Sequence, residues 1–164
     1  MPTTEEYVDL ITRQESELIL PRFDDRLAFE LGCQIRQDFL SQFDPSSSGI
    51  VISIDLFNGH RLFSASVGDS RSVGPDNWDW IRRKLNTVTR FSKSSFLVGR
   101  TRVLKGKDLD GLGSDYAAHG GSFPIRVRGV ETGPIGAVTV SGLAQEEDHR
   151  LVVEAIQKII DKEH

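Results

Sequence analysis

His119 and His149 close the two ends of the run HGGSFPIRVRGVETGPIGAVTVSGLAQEEDH, and they are the residues of this chain best suited to chemistry. Neutral imidazole ligates metals and haem iron and moves protons near neutral pH, so two converging rings could coordinate iron or act as acid and base. Gly120 and Gly121 follow the first histidine, and Ser141 and Gly142 precede the second. Backbone without a Cβ takes positive φ or lies flush against a ligand at little cost, leaving room and free N–H donors. The candidate ligand-binding set is therefore His119, Gly120, Gly121, Ser141, Gly142 and His149. A plainer role competes with it. His149 falls in the first turn of a helix, where Asp148 complements the dipole, and glycines at strand ends also serve turns or subunit packing.

Other chemistry is poorly represented. There is no CxxC or HExxH and only one cysteine, so zinc spacing is absent. Asp108, Asp110 and Asp115 suggest calcium, but the twelfth position of an EF-hand loop would fall on His119 instead of glutamate. No GxGxxG opens a helix after a strand, and neither a Walker lysine motif nor a GxSxG elbow occurs. No catalytic or metal-ligating residue is assigned, and binding is expected over catalysis. Cys33, in a helical pattern, reads as a small buried hydrophobe. His60 and His164 read as surface residues.

From Arg82 to Lys107 the chain is basic. This reads as a solvated face with local salt bridges, or as a surface for an anionic ligand or an acidic protein partner. Trp78 and Trp80, two residues apart, point to different sides of a helix. One is expected in the core and the other, stacked on Lys84, at a subunit interface or ligand wall. Trp78, Trp80, Arg83 and Arg90 are the candidate interface residues. A formal net charge of −4 argues against nucleic-acid binding.

The elements that must position these groups follow from periodicity. Residues 4 to 18 read as a helix, part of an N-terminal helical extension over 1–22 of a single domain spanning 1–164. A second helix starts near Asp24, with Leu27, Ala28, Leu31, Ile35 and Phe39 at helical spacing, and ends before Asp44-Pro45. GIVISIDLF and HRLFSASV flank Asn58-Gly59, the signature of a hairpin with a two-residue type I′ turn. A third helix starts at Pro75 with Trp78, Ile81, Leu85 and Val88 on one stripe. Residues 96–104 fit helix or strand, and 105–121, with five glycines, form an irregular segment. Phe123–Val127 and Ile135–Val140 read as paired strands, and Gln145–Ile160 as the closing helix. This order is α+β with an antiparallel sheet.

Three blocks carry a family resemblance: WIRRKLNTVTRFSKSS (Trp80 to Ser95), YAAHGGSFPI (Tyr116 to Ile125) and IGAVTVSGLAQEEDH (Ile135 to His149). With them the chain resembles the GlcG/HbpS-like, or haem-degrading domain, family, in particular its small stand-alone cytosolic branch. The resemblance implies a profilin-like antiparallel sheet of about five strands flanked by helices, and a homo-oligomer. It also implies haem or another tetrapyrrole as a ligand, since some relatives bind one, while others accompany small-acid catabolism. Onto this sequence it carries Gly120, Gly121, Ser141 and Gly142 as pocket or interface positions. Gly-Leu-Ala-Gln at 142–145 and the basic middle helix depart from the wider family.

The expectation is a homo-oligomeric small-ligand-binding protein holding haem or another small molecule between the two glycine-bounded loops. The alternative is an oligomeric adaptor presenting its basic helix to acidic partners; an enzyme with His119 and His149 as acid and base comes third. Glu5, Glu6 and Asp9 stand where a signal peptide would be basic, and no run has the length of a membrane span. A cytoplasmic protein without membrane contact is expected.

Overall fold

In the computed structural model, residues 1–163 are described; His164 lies outside them. Helix α1 spans Thr4–Glu17 and α2 Asp25–Gln42; β1 (Gly49–Leu56) and β2 (Arg61–Gly68) form a hairpin. They are followed by α3 (Pro75–Phe91), α4 (Ser95–Leu104), β3 (Ser122–Ile125), β4 (Gly136–Ser141) and α5 (Gln145–Lys162). The sheet is antiparallel with order β2-β1-β4-β3. Among the described residues it has four strands where about five were expected, and what continues the pairing past β3 is a single bridge between Leu20 and Val127. The expectation of α+β architecture holds.

Strand alternation sends successive side chains to opposite faces. Ile50, Ile52, Ile54, Phe123, Ile125, Val138 and Val140 point one way. There they meet Leu27, Leu31, Ile35 and Phe39 of α2 and Leu151, Val152, Ile156 and Ile159 of α5. Each such side chain, fully withdrawn from water, stabilises the fold by about 1.5–3 kcal/mol. Helix α3 covers the other face over β1, β3 and β4, while α4 packs on β3 and α1 packs on α4. Asp24 caps α2, accepting from Leu27 N at 2.8 Å.

Four local expectations change. The segment 96–104 is helical, because Ser94 Oγ accepts from Leu97 N and starts α4. The hairpin turn is three residues, not two: Gly59 N donates to Leu56 O, Leu56 N donates to His60 O, and Gly59 alone has positive φ. This is a type I turn closed by a bulge. Cys33 is exposed, because it falls on the outer flank of α2 opposite Leu31 and Ile35. Neither tryptophan enters the core; both are half-buried.

Candidate functional site

The site is held by a strap, residues 115–121, tied along α3. Ala117 N donates to Arg83 O at 3.1 Å and to Thr87 Oγ1 at 3.0 Å, and Asn86 Nδ2 donates to Asp115 O at 2.9 Å. The Arg83 guanidinium donates to Tyr116 O at 3.0 Å and lies over Trp80, 4.8 Å from its ring centre. Arg82 pairs with Asp79 and Asp115, each at 3.0 Å, and Arg90 stacks on Phe91 and Tyr116 at 4.9 and 5.0 Å. Much of the basic face read from the sequence is therefore engaged with the strap. Trp78 sits under Arg61 at 5.7 Å, and Trp80 stacks on Arg83 instead of Lys84.

The glycines that end the strap are tightly enclosed. A Cβ on Gly120 would overlap the Gln145 carbonyl oxygen, and one on Gly121 would overlap that of Val140. Gly121 (φ +139°) and Gly142 (φ +145°) also hold backbone that a side chain disfavours. Their missing side chains let chain segments meet closely. The open space lies beside them.

That space is a cavity of about 300 Å³ between α3, the strap, the β4–α5 turn and the first turn of α5. His119, Ser141 and Gly142 line it together with Trp80, Asn77 and Gln145. The Trp80 and His119 rings meet edge-on at 5.3 Å. Gln145 Oε1 accepts from Gly120 N at 3.0 Å, which joins the strap to α5. Burial and the positive charge of Lys84 push His119 below the usual imidazole range, and its Nδ1 is buried without a partner among the described residues.

Lys84 and Asp148 also face the cavity, and both are almost fully buried. Lys84 Nζ donates to Val140 O and to Asp148 Oδ2, each at 3.1 Å; Asp148 Oδ1 accepts from Leu143 N at 3.0 Å. Burial lowers the lysine, against the attraction of Asp148. Burial likewise raises the Asp148 carboxyl to about 6, against the attraction of Lys84. Neither residue stood out in the sequence, where Lys84 belonged to the basic run and Asp148 to an acidic helix start. The available signal is spacing: Lys84 interrupts the stripe of Ile81 and Val88, and Asp148 precedes Leu151 and Val152 on the buried stripe of α5.

His149 lies apart from this cavity. It is buried beneath α1, its Nε2 2.7 Å from Gln14 Oε1 and its ring 4.9 Å from Phe96 and 5.9 Å from Phe123. Burial lowers it to about 3, so it is neutral. The six candidate ligand-binding residues thus divide: His119, Ser141 and Gly142 line the cavity, Gly120 and Gly121 form the backbone behind it, and His149 faces α1. His60 is exposed on the hairpin.

Residues 23–157 match the family described as haem degrading protein HbpS-like. This chain belongs to the HbpS-like family. The match begins after α1, so the helix that covers His149 lies outside it. Among relatives of this HbpS-like protein, a UPF0303 protein of Acidobacterium capsulatum is 43% identical over 155 residues, covering 92% of this chain and 88% of that protein. One from Edwardsiella ictaluri is 37% identical over 163 residues, covering 96% and 97%. The crystal structure of Ybr137w superposes with a TM-score of 0.85 at 30% identity, over 95% of this chain and 88% of that one. A Streptomyces reticuli HbpS variant (TM-score 0.63, 16% identity, 85% and 87% covered) and a PduOC–haem complex (0.64, 16%, 82% and 93%) share the fold. Among the described residues, no helix is long and apolar enough to cross a membrane.

Proposed function

We propose that this HbpS-like protein is a homo-oligomeric small-ligand-binding protein whose ligand enters the cavity beside His119. The Lys84–Asp148 pair carries the reading. A buried ion pair is often no more stabilising than apolar residues of similar volume, so its place in a cavity wall supports a role toward a ligand.

Haem is the ligand that the family description and the haem-complexed neighbour put first. The cavity of one chain is a poor match to it. Its volume is at the small end of ligand pockets, and its lining intersperses amide, hydroxyl, amine, carboxyl and imidazole groups with apolar surface, of which Trp80 and Leu143 offer the broadest stretches. A macrocycle needs a flat apolar slot as well as an axial ligand; His119 offers a ring nitrogen, but the slot is missing and His149 lies outside the lining. The residues here fit a smaller polar molecule. An absorption titration with haemin tests this: a saturable Soret change that His119→Ala abolishes would put haem in the cavity and overturn the polar-ligand reading.

Oligomerisation is supported by apolar side chains left at the surface, among them Phe29 at 59% and Leu104 at 51% exposure. The stripe on α3 supports it less, because Ile81 and Val88 are buried within the chain. Light scattering at the monomer mass of 18.3 kDa would overturn it. The adaptor reading draws on a second groove, of about 260 Å³, with Phe91, Val98 and Leu112 among basic Lys93, Lys105 and Lys107. Salt-sensitive binding of an acidic peptide, lost in Lys105→Glu, would favour it.

A further inference from the structure

We infer that Lys84 is a covalent carbonyl-trapping residue, forming a reversible imine with a small polar aldehyde or ketone in the cavity, with Asp148 as its proton donor and acceptor. This rests on the small-ligand reading of the same cavity and names the class of molecule that enters it.

Geometry comes first. Lys84 Nζ is anchored by two hydrogen bonds, to Val140 O and Asp148 Oδ2. Its stem is wedged beside Gly121, where a Cβ would lie 2.7 Å from Nζ. Those two acceptors use two of the three positions on a tetrahedral nitrogen. When the proton on the Nζ–Oδ2 hydrogen bond passes to Asp148, the lone pair it leaves faces that carboxyl, and rotation about Cε–Nζ turns it into the cavity. Asp148 is held in turn by Leu143 N, so its carboxyl stays beside the amine. Trp80 and His119 wall the cavity, and the amides of Asn77 and Gln145 can meet a hydroxyl on the ligand.

The chemistry needs an unprotonated amine and an adjacent acid at neutral pH. A lysine withdrawn from water supplies the first, and the directions in which burial moves Lys84 and Asp148 bring the amine–carboxylic acid form of the pair closer to the ion pair. The lone pair of Nζ adds to the carbonyl carbon. The π pair moves to oxygen, which takes the Asp148 proton, and the nitrogen returns a proton to Asp148. The C–O bond then breaks with a second proton from Asp148, water leaves, and the nitrogen lone pair closes C=N. The product is a protonated imine beside the Asp148 carboxylate, one ion pair in place of another. No oxidant or reductant is consumed.

Glycolaldehyde is a suitable probe: full-length protein is incubated with it and borohydride, which reduces the imine to a stable amine, and the adduct is located by peptide mass. Saturable labelling of Lys84, with only linear labelling of exposed Lys93 and Lys105, is expected. Lys84→Met should lose the adduct, and Asp148→Asn should slow it by about 10²-fold or more. Circular dichroism checks that both variants fold, and borohydride labelling of the unaltered protein stands without them. Calorimetry without reductant separates the two ideas. Glycolaldehyde binding that Trp80→Ala removes, with no adduct on Lys84, overturns the imine and leaves the cavity as a ligand site. Labelling confined to the surface lysines, with no heat of binding, overturns the imine and counts against a small polar ligand as well.

Discussion

The two faces of the sheet are built from the same strands and do opposite things. Toward α2 and α5, Ile52, Ile54, Val138, Val140 and Phe123 make a dry core. Toward α3, the residues one position along are Ser53, Asp55, Thr139, Ser141 and Ser122, and they are equally buried. Each of these polar groups needs a partner. Ser122 Oγ lies 2.9 Å from Thr139 Oγ1, Ser122 N donates to Ser95 Oγ at 3.0 Å, and Asp55 accepts from Ser53 and from Arg61. Lys84 and Asp148 complete the layer where it opens to the cavity. Apolar packing tolerates many arrangements, whereas a buried polar layer specifies one. The α2/α5 face supplies stability, and the α3 face supplies position.

Truncation on the apolar face should have the largest effect. Phe123→Ala is expected to lower stability by about 3–5 kcal/mol, read as a drop in the urea midpoint, and no single change on a neighbouring residue should restore it. On the polar face, Lys84→Met leaves the Asp148 carboxyl buried without its cation and is expected to cost about 3 kcal/mol. Here a partner change should restore most of the loss, because Lys84→Met with Asp148→Leu removes both charges. A double variant as unstable as the sum of the singles would show that the two residues are not coupled.

The same contrast explains what could be read from the sequence. The apolar face announces itself through periodicity, so α2, α5 and the hairpin at Asn58-Gly59 are legible within a few residues. The polar face does not. Lys84 meets Asp148 and Val140 across more than fifty residues of chain, and in the basic run only its place on the stripe of Ile81 and Val88 separates it from exposed Arg82. The strap looks irregular because from Asp115 to Ala117 its hydrogen bonds run to α3, and it meets β4 only at Gly121. Gly120 and Gly121 were visible as special backbone, but only their contacts show that they close space, not open it. His149 was visible too, and only the packing of α1 shows that it faces away from the cavity.

Acid should separate the two environments with opposite signs. His149, lowered from 6.5 to about 3 by burial, is neutral when folded and protonated when unfolded across that interval, so its contribution falls as pH drops from 6.5 toward 3. Asp148, raised from 3.8 to about 6, is protonated when folded and ionised when unfolded between those values, so its contribution rises as pH drops from 6 toward 4. Between about pH 4 and 6 the two oppose each other. Urea midpoints across that range should change little in the unaltered protein, fall with acid in Asp148→Asn, and rise with acid in His149→Gln. Parallel pH profiles for all three proteins would show that neither burial governs acid stability.

The smallest effect is expected at the edge of the polar face, where two adjacent arginines differ in what they hold. Arg82 bonds Asp79 and Asp115 through side chains that are all about half exposed or more. Water and salt screen such pairs, and holding long side chains in place offsets much of their attraction. Arg83 instead donates to the Tyr116 carbonyl and stacks on Trp80. Arg82→Glu should therefore leave the melting temperature unchanged at both low and high salt. Arg83→Glu should lower it at both, and should speed hydrogen exchange at Ala117 N, which the strap shares with Thr87. Equal melting temperatures for the two variants would mean that the Arg83 guanidinium adds nothing to the hold of Thr87, Asn86, Gln145 and the Arg83 carbonyl on the strap, and that the basic face of α3 is free for a partner.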